Sequence, residues 1–180
     1  MSFPVLPTSL PAGHVPTATE YQSILDYVTA ITPTIRVKST DQSVTSSTTL
    51  VNDNDLFFTP AVSTVWVVQL NLIYEASTTG DAKWGFTFPT GAFFSWGHTV
   101  INTSLGADAT SVFSYLRAAS GNAFSAGGDG AGNRLHAVLG GTLTMGSTSG
   151  NLQFQFAQQT SDGTATKINQ DSFMIAWRVS

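Results

Sequence analysis

The chain has 180 residues, with seven Lys or Arg, eleven Asp or Glu and a formal net charge of −4, a length that one all-β domain accommodates without splitting. Charged residues make up only 10%, against about 25% in an ordinary soluble domain, so Ser, Thr, Asn, Gln and Gly must cover most of the surface, as in shell, fibre or adhesive proteins packed against neighbours. The basic residues stand singly at 36, 38, 83, 117, 134, 167 and 178, which gives no phosphate-neutralising stripe and argues against nucleic-acid binding, while the absence of cysteine removes disulfides, thiolate catalysis and thiolate metal sites.

The first residues lack a basic segment followed by an apolar run, and Pro4, Pro7 and Pro11 interrupt what apolarity there is. No apolar stretch approaches a membrane span. The expectation is a soluble protein made in a cytoplasm, with neither nucleic acid nor membrane as a partner. Residues 1–16 also contain Pro16 and should be extended, because each proline fixes φ and removes an amide donor. They carry Phe3, Val5, Leu6, Leu10 and Val15, more apolar surface than a solvated linker, which points to an attachment arm that docks on another body rather than folding back on its own domain.

Thr17-Ala18-Thr19-Glu20 has the pattern of a capping box, and a helix should follow to about Ile31, closed by Pro33 within a segment 17–32. Tyr21, Ile24, Leu25, Val28 and Ile31 fall at helical spacing and form one apolar stripe. The stripe suits three occupants: the protein's own β-core, copies of itself around a symmetry axis, or a host particle. A helix of about fifteen residues is marginal alone in water, so something must cover it.

From residue 34 to 180 the apolar period becomes two. Trp66, Val68, Leu70, Leu72 and Tyr74 share one face, with Val65, Val67 and Ile73 on the other, which reads as a central strand covered on both sides. Trp84, Phe86 and Phe88 alternate with Lys83, Gly85 and Thr87, and Leu152, Phe154 and Phe156 alternate with Gln153 and Gln155. The last strand sets Phe173, Ile175, Trp177 and Val179 against Met174, Ala176 and Arg178 and reads as lying in the middle of a sheet. Turn signals fall at Asn52-Asp53-Asn54-Asp55, Thr79-Gly80-Asp81, Pro89-Thr90-Gly91, residues 127–132, Gly140-Gly141, Ser149-Gly150-Asn151 and Ser161-Asp162-Gly163. The predicted fold is all-β: a sandwich or jelly roll of about 8–10 antiparallel strands after the Pro-rich arm and one short α-helix.

Catalytic material is scarce. Glu20 is taken by the helix cap, and Glu75 has no evident carboxylate partner for glycoside hydrolysis. His14, His98 and His136 show no ligand spacing, and His98 and His136 read as surface or interface residues, so neither a metal nor a cofactor is expected, although one His per chain could meet its copies on a three-fold axis. Met145-Gly146-Ser147-Thr148-Ser149-Gly150 has the wrong spacing for a nucleophile elbow and reads as a hairpin turn. Asn52–Asp55 lacks the glycine and distal glutamate of a calcium loop. The glycine-rich run 126–133 lacks the Lys-Ser/Thr of a phosphate loop and reads as a flexible exposed loop. That loop, beside Phe124, together with exposed aromatics such as Phe93, Phe94 and Trp96, is where a host-surface carbohydrate would be recognised.

The leader, the capped helix, the segment Ser46–Leu56, the strand Val67–Tyr74, the stretch Asp81–Ala92 and the stretch Leu152–Asp162 together cover most of the chain. In this combination it resembles accessory virion proteins of tailed bacteriophages, especially those infecting actinobacteria, which are labelled minor tail proteins or capsid surface proteins. The resemblance implies a non-enzymatic structural role and a three-fold assembly of jelly-roll-like bodies. The expected partners are then other copies of the chain, in a homotrimer, and the major capsid protein or tail proteins of the phage. The expected location is the virion surface, as capsid decoration or as a minor tail or tail-fibre protein, and the rival of another class is a carbohydrate-binding module.

Overall fold

The computed structural model describes residues 12–101, 111–118 and 120–180. Helix α1 (Ala18–Ile31) leads into twelve strands: β1 (Thr34–Val37), β2 (Gln42–Val44), β3 (Val51–Phe58), β4 (Val65–Glu75), β5 (Ala82–Thr87), β6 (Phe93–Ile101), β7 (Ser111–Ala118), β8 (Ala123–Ala126), β9 (Leu135–Thr144), β10 (Leu152–Gln158), β11 (Thr166–Ile168) and β12 (Phe173–Arg178). All pairings are antiparallel. An eight-stranded sheet runs β1-β12-β4-β9-β6-β7, with β11 pairing β4 and β2, and a four-stranded sheet runs β3-β10-β5-β8. The fold is thus an all-β sandwich, with more strands than the hydrophobic period predicts because β2 and β11 have three residues each.

From β2 to β11 every connection except β6–β7 carries the chain from one sheet to the other. The turns therefore close the sandwich rather than build hairpins. Residues 145–150, which read as a hairpin turn, instead carry the chain from β9 in the large sheet to β10 in the small one. The core forms where the two inner faces meet: Trp66, Val68, Leu70, Leu72 and Tyr74 of β4 against Trp84, Phe86, Phe154 and Phe156. The Trp84 ring meets Tyr74 edge-on at 5.1 Å, and Phe86 meets both Phe94 and Trp96 edge-on at 5.0 and 4.9 Å, the arrangement that aromatic quadrupoles favour.

Two turn signals lie inside strands. Gly140 and Gly141 sit in mid-β9, opposite Gly97 and Trp96 of β6, where the second glycine makes room for a close approach of the β6 backbone. Asn52–Asp55 belongs to β3; its turn-like chemistry is local, because Asp53 Oδ1 accepts from the Asp55 and Leu56 amides at 2.9 Å each. There the ladder to β10 shifts register, between Gln153 and Gln155. β4 is central, between β12 and β9, yet its outer face is not covered: Val67 lies exposed on it.

The helix starts as its sequence requires. Thr17 Oγ1 accepts from the Glu20 amide at 3.2 Å, and the Thr17 amide donates to Glu20 Oε2 at 2.8 Å. That amide, the His14 ring and the Thr17 hydroxyl draw the Glu20 carboxyl down to about 2. α1 touches β12 but buries only Ala30.

Candidate interaction surface

Strand pairing assigns a shared face across the outer side of the large sheet, because directly opposed residues point the same way. Ile35 and Val37 of β1 oppose Ile175 and Phe173 of β12, and Trp177 of β12 opposes Val67 of β4. Met174 and Ala176, the smaller alternate set of β12, face the core. The last strand therefore turns its bulkier apolar residues outward: Ile35 and Val37 are 53% and 56% exposed, and Trp177, Val67 and Val179 are also exposed. The helix repeats the pattern. Tyr21 and Val28 are 60% and 50% exposed, Leu25 and Ile31 are exposed as well, and Ile24 is half-buried. Of the arm residues, Val15 is exposed, while Phe3, Val5, Leu6 and Leu10 lie outside the described residues.

The residues singled out for carbohydrate recognition separate. Along β6, period two sends Phe94, Trp96 and His98 into the core and leaves Phe93 outside. Phe94 and Trp96 are 1% exposed and cannot stack on a sugar, which corrects the expectation for both. Phe124 is half-buried, its ring 5.2 Å from that of Trp96. The glycine-rich loop is also not the free loop its composition suggests. The Gly128 amide donates to Asp81 Oδ1 at 2.8 Å, the Gly130 amide to the Ala76 carbonyl at 2.9 Å, the Gly132 amide to Glu75 Oε2 at 3.0 Å, and Tyr74 Oη to the Gly127 carbonyl at 2.8 Å. A Cβ on Gly128 would lie 2.3 Å from the Ser77 carbonyl oxygen. The glycines let this loop lie against the end of β4.

The ionisable groups are engaged structurally. Glu75 is buried and accepts from Asn169 Nδ2 at 2.9 Å, from the Gly132 amide and from Lys167 Nζ at 3.4 Å. Burial pushes its carboxyl up, but these donors outweigh it and the net direction is down. These partners are all donors, so it serves as a brace between β4, β11 and the glycine-rich loop. His98, expected at the surface, is a core residue: its Nδ1 accepts from Trp84 Nε1 at 3.1 Å, and burial pushes its basicity down. His14 pairs with Glu20 at 3.0 Å, and His136 lies exposed on β9. Among the described residues no three His, Asp or Glu come together as a metal-ligand group.

An open groove of about 360 Å³ lies between the β5–β6 and β9–β10 turns and is lined by Asn52, Phe88, Pro89, Asn151 and Gln153, among others. Two of its amide oxygens are engaged within the fold: Asn52 Oδ1 accepts from Gln155 Nε2 at 2.7 Å, and Asn151 Oδ1 accepts from Thr59 Oγ1 at 2.6 Å. The outward apolar face of β1, β12 and β4 with α1 is the feature that internal contacts do not explain. Sequence reasoning found its helical half but assigned Val67 to a covered strand and passed over Ile35 and Val37. Their alternation in Thr34-Ile35-Arg36-Val37 was the available signal, too short to stand out.

Neither a protein-family model nor a curated protein matches the chain. Solved structures that match include structures of infectious bursal disease virus. The Gx strain structure shares 10% identity and a TM-score of 0.20 over 80% of this chain and 36% of that one. A VP2 subviral particle shares 9% and 0.21 over 82% and 42%. The chain thus spans about two fifths of the length of those proteins.

Proposed function

We propose that this chain is a non-enzymatic structural protein of a tailed-phage virion, a homotrimer decorating the head surface and held there by its N-terminal arm. The carrying observation is the outward apolar face. The 14-residue helix is too short to persist uncovered in water, its own domain fully buries only Ala30, and the adjoining sheet face exposes Ile35, Val37, Val67 and Trp177. A contiguous apolar surface of this kind marks an interaction site. Three copies meeting through α1 cover each other's stripes and bring three arms to one side of the assembly. Each arm then binds the major capsid protein with the avidity of a linked set. The resemblance to accessory virion proteins supports this reading, as does the low charge of a surface built to pack against neighbours. The protein is made in the bacterial cytoplasm and works on the virion.

The test is cosedimentation with undecorated heads. The full chain is expected to join the particles, and a chain lacking residues 1–16 is expected to stay folded and oligomeric but remain in the supernatant. Normal incorporation of the truncated chain sinks the anchor role. The same apolar face serves a minor tail or tail-fibre protein equally well, and density on tails rather than heads by cryo-EM moves the assignment there. A host-glycan module is the weaker reading, because two of its four aromatic residues are enclosed in the core.

A further inference from the structure

A second feature is independent of the proposed assembly. Lys38, just past β1, and Asp53, in β3, have side chains only 1% and 0% exposed, with Nζ 2.9 Å from Oδ2. Two charges are thereby withdrawn from water, at a cost that their attraction repays only in part. The approach also lacks hydrogen-bond geometry, and Asp53 Oδ2 has no hydrogen-bonding partner. The other oxygen, Oδ1, is held by two backbone N–H groups, those of Asp55 and Leu56, at 2.9 Å each. A second carboxylate stands by: Asp55 Oδ2 is 3.8 Å from Nζ and is steadied by the Ser39 amide at 3.1 Å. The lysine backbone is fixed as well, its amide donating to the Ser172 carbonyl at 2.7 Å and its carbonyl accepting from the Asp171 amide at 3.1 Å.

We propose that Lys38 and Asp53 form an intramolecular isopeptide bond, with Asp55 carrying the proton. The amine, the acyl group, two donors for the developing oxyanion and a proton carrier stand together, the set that acyl transfer needs. One proton passes from the Lys38 ammonium to Asp53 Oδ2, leaving a neutral amine and a neutral acid. The nitrogen lone pair attacks Asp53 Cγ, and the charge that develops on Oδ1 is met by the Asp55 and Leu56 amides. Asp55 takes a proton from the attacking nitrogen and returns it to Oδ2. The Cγ–Oδ2 bond breaks, Oδ1 regains its double bond, and one water leaves. Both buried charges disappear, and no oxidant or cofactor is required. The bond joins the residue that follows β1 to β3 of the opposite sheet, so a pull on the arm would be passed to β3 directly as well as through the hydrogen-bonded ladder of β1.

The experiment is mass spectrometry of the full chain, intact and after trypsin, following prolonged incubation at neutral pH. The expected intact mass is one water below that of the sequence. Trypsin should then fail to cut after Lys38, releasing Val37 to Lys83 as one species that is also short of one water. A succinimide at Asp53 would lose the same water but leave Lys38 cleavable, and that result overturns the proposal. So does a chain at full mass cut normally at Lys38, which leaves a buried ion pair only. Asp55→Asn keeps the buried pair and should stay folded at full mass. Cross-linking at the native rate in that variant overturns the role of Asp55.

Discussion

Adjacent glycines in β9 should respond oppositely to the same methyl group. A Cβ on Gly141 would lie 2.1 Å from the Ser95 carbonyl oxygen and 2.6 and 2.7 Å from Trp96 Cα and Cβ. The first two are backbone atoms of β6, so relief requires β6 and β9 to separate. Overpacking of this kind costs about 1–3 kcal/mol, and each ladder hydrogen bond weakened adds about 1 kcal/mol. The stiffer unfolded chain returns at most about 1 kcal/mol, so with one ladder bond weakened Gly141→Ala should lose about 1–3 kcal/mol net. A Cβ on Gly140 meets only the Val68 carbonyl oxygen, at 3.5 Å, an ordinary contact. Gly140→Ala should therefore be neutral or gain up to about 1 kcal/mol through the unfolded state. Urea denaturation followed by tryptophan fluorescence separates the two. Equal shifts in both variants, or a neutral Gly141→Ala, would refute the close approach of β6 to β9.

His98 predicts a pH dependence in a defined window. Its basicity is lowered in the folded chain by burial, so below its ordinary value of about 6.5 the unfolded chain binds more protons and stability falls as the solution is acidified, by up to about 1.4 kcal/mol per pH unit. The loss should begin near pH 6.5, before carboxylates contribute, and flatten in His98→Gln, as read by denaturation between pH 7.5 and 5. For the helix, Leu25→Asp with Val28→Asp should leave the stability of the body within about 0.5 kcal/mol, since both residues are exposed in the single chain. The same pair should dissolve an assembly in which each side chain contributes about 1.5–3 kcal/mol of burial, a difference that sedimentation velocity would show.

Long elements were legible because their chemistry is local or periodic. The Thr17–Glu20 capping box and the inward set of β4 follow from spacing alone, as do the buried aromatics of β5 and β10. The failures arose where long-range packing overrode a local signal. Gly140 and Gly141 have turn chemistry, but the demand at 141 came from a neighbouring strand. Asn52–Asp55 also looked like a turn, because Asp53 makes turn-like bonds to its own backbone while remaining in β3. Phe94 and Trp96 lie in a strand whose period fixes which residues share a face but not which face is inner. The apolar outer set of β12 was visible as alternation, and only the strand order showed that the bulky half faces away from the core. Lys38 follows a strand of one sheet and Asp53 lies in the other, and no spacing rule links them.

The central claim is that the outward face of α1 and the large sheet is covered by other copies of the chain. Mass by light scattering on the purified full-length protein tests it most directly. The account predicts a particle of three times 19.0 kDa that persists on dilution. A stable monomer of 19.0 kDa would contradict it.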